Sequence, residues 1–200
     1  DPTLLLVAYR TLGATSFAYG EPAQALEYLK QGIDLYDPQK HRSLAYVYGQ
    51  DIGVVCQSWA IWSLQQLGYF DQARGMVLEM IQLSRELSHP LSLSYALAVG
   101  MFISLLQRDT AQAQELAQEN LKFTGEYGFI YFYTHSSMIL GLLADPDHIE
   151  EEIQQVSGAM AGLGAAGAEL LLPMYQAWEG SKQGWLPWPQ GCLSSREARS

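Results

Sequence analysis

The chain has 200 residues and a mass of 22.2 kDa, is 48% hydrophobic and 16% charged, and carries a formal net charge of -10. This is ample apolar material for a core, yet its longest apolar runs, Leu4 to Tyr9 and Leu170 to Met174, fall far short of the roughly 20 residues a membrane span requires. Between residues 109 and 179 eleven acids face a single base, Lys122, so the field opposes phosphate and neither nucleic acid nor membrane is an expected partner. Cys56 and Cys192 have no zinc or redox spacing, and with no secretory pattern at the start a cytoplasmic location is expected. The first residue is Asp1, so a piece of a longer polypeptide is expected as well.

Apolar residues recurring at three- and four-residue intervals predict helices along the whole chain. The first covers 3–19 and closes at Gly20; Pro22 opens the second, 22–36, which Asp37-Pro38 stops. Residues 37–52 read as a long loop, with Tyr48 packed beneath it and Asp51 capping a helix over 53–67. The alternative for Gln50 and Asp51 is contact with a partner. Gly68 closes that helix and Asp71 favours the start of the next, 70–87, which ends at His89-Pro90. Helices over 91–107 and 110–126 follow, separated by Arg108-Asp109, with Thr110 as a cap. Tyr127-Gly128 ends the second of them, and 130–143, 147–162 and 168–179 complete the series. Period-two alternation bounded by turns is missing, so no sheet is predicted.

Three short stretches repeat: GEPAQA at Gly20 to Ala25, GYFDQA at Gly68 to Ala73 and RDTAQA at Arg108 to Ala113. Each follows an apolar helix and opens an amphipathic one, and the small Ala25, Ala73 and Ala113 let the second helix approach the first. One such hairpin cannot bury its apolar stripe, whereas a stack can. The fold expected is therefore all-α, about four antiparallel helix hairpins plus a partial fifth beginning at Ala168. The repeat domain covers 1–180. Residues 181–200, GWLPWPQGCLSSREARS from Gly184 on, form an extended Pro/Trp tail that either caps the last hairpin or is not native.

The first copy, LGATSFAYGEPAQALEYLKQGIDLYDP, resembles a tetratricopeptide repeat: Leu12-Gly13, Gly20, Ala25, Leu29 and Gly32 fall at the family's spacings, with Pro38 one place late. The second and third copies keep Gly68 with Ala73 and Ala113 with Ala117, but replace the Leu-Gly pair and run longer than the roughly 34-residue unit. YGQDIGVVCQSWAIWSLQQLGYFDQA, followed by ELSHPLSLSYAL, is similar to the tetratricopeptide-rich C-terminal regions of bacterial signalling proteins that carry a class III adenylate or guanylate cyclase, or a regulatory ATPase, upstream. The resemblance implies a right-handed superhelical array, an α–α solenoid, with a regulatory or scaffolding role and no catalytic residues.

It also implies that the first helix of each hairpin lines a concave groove. The residues facing that groove would be Arg10 and Phe17, then Trp59, Trp62 and Gln66, then Tyr95 and Phe102, then His135. Trp59, Trp62 and Gln66 share one helical face and make an aromatic shelf with one amide, while burial between hairpins is the competing expectation for both tryptophans. Chemistry finds no constellation. His41, His89, His135 and His148 stand apart, Glu150, Glu151 and Glu152 point to different sides of a helix, the glycine-rich Gly158 to Ala168 follows a helix, and no GxSxG, GxGxxG or GxxxxGK occurs. No catalytic residue, metal or cofactor is expected.

The expected function is a non-catalytic protein-interaction and regulatory scaffold of a larger signalling protein, binding a peptide, a partner or upstream domains of the same polypeptide on the concave face. The alternative is a small-molecule, inducer-sensing domain in which Gln66, Tyr95 and His135 converge in a closed pocket. An all-helical enzyme ranks below both. Leu4, Leu5 and Leu6 lack a preceding hairpin, so self-association through the exposed terminal hairpin is expected.

Overall fold

Glycine, proline and short capping side chains set the helix ends in a computed structural model of the chain, which describes residues 2–144. The elements are α1 (Pro2–Ala18), α2 (Pro22–Leu35), α3 (Pro38–His41), a 3-10 turn (Arg42–Leu44), α4 (Ala45–Tyr48), α5 (Ile52–Gln66), α6 (Phe70–Leu87), α7 (Pro90–Leu106), α8 (Thr110–Tyr127) and α9 (Ile130–Ala144). Gly20, Gly68 and Gly128 adopt left-handed φ values of 80°, 82° and 73°, which end a helix without a Cβ clash. Pro22, Pro38 and Pro90 each occupy a first helical turn, where a missing N–H costs nothing. The described residues are helical with no strand. The helices expected over 147–162 and 168–179, and the 181–200 tail, lie outside the described residues.

Two local expectations are corrected. Residues 38–48 are not an irregular loop but the succession α3, 3-10 turn and α4, started by Asp37, whose carboxylate accepts the Gln39 N–H at 3.0 Å. Tyr48 does not pack beneath this segment and is exposed. One cap also differs: Asp109 rather than Thr110 caps α8, accepting the Gln112 N–H at 3.1 Å. Asp71 sits in the first turn of α6, where its charge favours the helix start as expected. Asp51 caps α5 as expected, accepting the Val54 N–H at 3.1 Å.

Each helix of the main series packs on the next, so that α1–α2, α5–α6 and α7–α8 are hairpins and α9 packs on α8. Their antiparallel sense follows from the contacts: Gly13 meets Leu29 across the Gly20 turn, and Gly100 meets Leu116 across Arg108. A Cβ at Gly13 would collide with the Leu29 side chain, so this contact depends on the glycine. Ala25, Ala73 and Ala113 are each fully buried, as expected of the small residue that admits the second helix.

The first helices form a second set of contacts, α1 on α5, α5 on α7 and α7 on α9. Here partner numbers rise together. Ser58 pairs with Tyr95 and Gln65 with Gln107 between α5 and α7, and Tyr95 with Phe132 and Phe102 with His135 between α7 and α9. The four helices therefore run parallel in a row, and the second helices α2, α6 and α8 pack behind them. Burial follows this placement. The second helices bury one stripe, in α6 Ala73, Val77, Met80, Ile81, Ser84 and Leu87, at the spacing of an amphipathic helix. In α7 every residue from Ala96 to Leu105 is buried, as befits a helix covered on all sides. One apolar cluster runs from Leu6 to Leu142, and each fully buried Leu or Ile in it stabilises the fold by about 1.5–3 kcal/mol. No helix among the described residues is long and apolar enough to cross a membrane.

Candidate functional site

The row of first helices has an unusual composition: among the described residues, α1, α5, α7 and α9 carry one formally charged side chain, Arg10, and no carboxylate. Six of the eight expected groove residues, Arg10, Phe17, Trp59, Trp62, Gln66 and Tyr95, are partly exposed along this row. Parallel stacking brings several together. The Phe17 and Trp59 rings lie 5.3 Å apart, and the hydroxyls of Ser58 and Tyr95 share a hydrogen bond across the α5–α7 seam. Arg10 lies within electrostatic reach of both Tyr95 and Cys56. Burial pushes the Tyr95 phenol above its ordinary range, with the Ser58 hydrogen bond and the Arg10 charge opposing that rise.

Phe102 and His135 depart from expectation, being buried at 7% and 2% exposure. The reason is mutual cover. The two rings meet edge to face at 5.8 Å, and Tyr131 lies over His135 with ring centroids 4.3 Å apart. His135 Nδ1 is hydrogen-bonded to the Tyr131 carbonyl, its own helix's preceding turn. Burial lowers the imidazole to about 4, so it is neutral at pH 7. Of the three polar residues Gln66, Tyr95 and His135, Tyr95 is bonded to Ser58 and His135 to Tyr131. Ser58, which the sequence reading missed, carries neither charge nor motif, and only the register between α5 and α7 marks it.

A second polar cluster joins the 36–52 segment to α7. The Tyr36 hydroxyl donates to the Asp51 carboxylate at 2.8 Å, and the Asp51 N–H donates to Ser92 Oγ at 2.8 Å. Ser92 Oγ also pairs with His89 Nδ1 at 2.9 Å. Asp51 and Ser92 are both fully buried, so the Ser–His pair closes a helix start and presents no nucleophile. Burial raises Asp51 above the usual carboxylate range, against the hydrogen bonds from Tyr36, Val54 and Gly53. Burial and the adjacent carboxylate together raise the Tyr36 phenol. Cys56 is a free thiol, buried and pushed up to about 12, which makes it unreactive at neutral pH. Among the described residues no three His, Cys, Asp or Glu side chains gather as metal ligands.

The outer face of α1 is the other notable surface. Leu4 and Leu5 are exposed, Leu6 turns into the core, and Pro2, Leu4, Leu5, Ala8 and Leu35 line an open depression of about 610 Å³. No family model matches the chain, and no curated protein matches it.

Proposed function

We propose that the chain is a non-catalytic binding module, a tetratricopeptide-like solenoid of the cytoplasm in which the row of first helices is the recognition face for a segment of a protein partner or of its own larger polypeptide. The observation that carries this is the aromatic and amide shelf of Phe17, Trp59, Trp62 and Gln66, half-buried on parallel helices. Rings held in this way add contact area with little loss of rotamer freedom, and a few such anchors account for most of an interface's affinity. Hairpins stacked in chain order with their first helices aligned support the solenoid reading. Trp62→Ala lowers partner affinity by at least roughly ten-fold, the order of a single anchor, with the melting temperature near that of the parent. Loss of the fold together with binding assigns Trp62 to the core instead.

A small-molecule ligand is the second reading, favoured by the polar grouping of Arg10, Ser58 and Tyr95 and by the burial of Phe102 and His135, which shortens the accessible part of the row. The exposed leucines of α1 form a separate surface, through which self-association is proposed.

A further inference from the structure

The segment joining the first hairpin to α5 is anchored on one side and bare on the other. Right-handed helical dihedrals at His41, Arg42, Leu44 and Ala45 carry the chain through α3, the 3-10 turn and α4. On the inner side His41 and Ala45 are buried, Leu44 packs against the core, and His41 Nδ1 accepts the Asp37 N–H at 3.0 Å. The outer side carries three consecutive large apolar residues, Tyr46, Val47 and Tyr48, at 80%, 73% and 46% exposure. They add nothing to the core, and an exposed apolar run of this kind marks an interaction surface. The Tyr46 ring rests edge-on against His89 at 5.3 Å, which places the run beside the start of α7. Arg42 is exposed one turn before Tyr46. Neither ion pair found among the described residues, Lys40–Asp37 and Arg85–Glu119, involves it. Residues 38–50 hold Lys40, His41 and Arg42 and no acid, in a chain whose net charge is -10.

We propose that the outer side of Arg42–Tyr48 docks a segment of a partner protein in which an aspartate or glutamate stands beside a large apolar side chain. This is a contact additional to the row of first helices. The Arg42 guanidinium takes the carboxylate as a two-bonded fork, and Tyr46, Val47 and Tyr48 take its apolar neighbour. Tyrosine and arginine are the residue types that most often anchor interfaces, and a segment already held by His41, Leu44 and Ala45 has little ordering left to lose. An acidic protein segment fits better than an anionic bilayer. Electrostatic adhesion to lipid takes a cluster of roughly four or more basic residues, whereas Lys40 is engaged by Asp37 at 2.8 Å and the charge of the whole chain opposes an anionic surface. A single carboxylate needs one guanidinium.

The test selects a random library of short displayed peptides on the full chain and counter-selects it on the double variant Val47→Ser, Tyr48→Ser, which keeps the Tyr46–His89 contact. The peptides retained carry an acidic residue next to a large apolar one. With a synthesised binder, Arg42→Gln lowers affinity roughly ten-fold, the order of one charge-assisted contact. Changing the peptide's carboxylate to the amide costs the parent a similar factor and costs Arg42→Gln nothing more, as expected of two groups that pair. Trp62→Ala leaves the affinity unchanged, and all variants melt with the parent. Peptides without acidic residues, or affinities that survive Arg42→Gln, overturn the proposed occupant. Binding that falls with Trp62→Ala and not with Arg42→Gln belongs to the row and overturns the docking surface while leaving the row standing. A library in which no peptide distinguishes the parent from the double variant overturns the surface, as does a lower melting temperature of that variant, which would make the run part of the packing. Co-sedimentation with phosphatidylcholine–phosphatidylserine vesicles that is lost in the double variant transfers the surface to a bilayer and overturns the protein partner.

Discussion

His135 gives the fold a calculable sensitivity to acid. Its ring is 2% exposed, packed on Tyr131 and edge-on to Phe102, and burial takes it from its ordinary 6.5 to about 4. A histidine whose value is lower folded than unfolded binds its proton less readily in the native state. Its contribution is therefore whole above pH 6.5 and is lost progressively down to pH 4. At 1.36 kcal/mol per pH unit, that displacement amounts to at most about 3 kcal/mol. Asp51 acts with the opposite sign. Its folded value is raised, so its contribution is present below 3.8 and lost as the pH rises through the folded value. Comparing the parent with His135→Phe cancels the Asp51 effect, because both proteins retain it. Urea denaturation at intervals from pH 7.5 to 4 should show the variant gaining about 3 kcal/mol on the parent as the pH falls. A difference that stays flat across this range means that His135 titrates near its ordinary value and is not enclosed by Tyr131 and Phe102.

Three further outcomes test the packing. A Cβ at Gly53 would lie 2.6 Å from the Tyr36 ring, which its bond to Asp51 holds in place; Gly53→Ala should cost about 1–3 kcal/mol in chemical denaturation, and a neutral effect would show that the ring is free to move. Asp51→Ala removes the α5 cap and leaves the Tyr36 hydroxyl unpaired, so a loss of about 2–3 kcal/mol is expected; a loss within about 0.5 kcal/mol, typical of an open surface position, would contradict the buried network. Leu5→Lys should bring the light-scattering mass down to that of the monomer at concentrations where the parent associates, and an unchanged mass would remove the α1 face from the contact.

The hairpin order was legible because each boundary has a local cause. Gly20, Gly68 and Gly128 adopt the left-handed conformation, Asp51 caps α5, and the Gln-Ala stretches place Ala25, Ala73 and Ala113 at fully buried contacts. Several starts and stops were written differently: Ser88 and Arg108 hold left-handed φ values of 52° and 62° without being glycine, and α3 and α4 are too short to show a period. The site was legible only in part. Helical register placed Arg10, Phe17, Trp59, Trp62, Gln66, Tyr95, Phe102 and His135 on the first helices, but register does not tell which positions a neighbour covers. In α7 the sequence is apolar all round, so its pattern could not distinguish the buried Phe102 from the partly exposed Tyr95. The Tyr36–Asp51 and Asp51–Ser92 bonds span 15 and 41 residues, and only the stacking of hairpins brings such partners together.

The account stands on the row of first helices being the recognition face. Its most direct test places a photo-crosslinking amino acid at position 62 on α5 or, as the control, at position 78 on the back of α6, where Leu78 is exposed, and irradiates cells producing the protein. A discrete covalent adduct formed from position 62 and not from position 78 is the predicted result. An adduct from position 78 with none from position 62 would move recognition to the second helices and contradict the account.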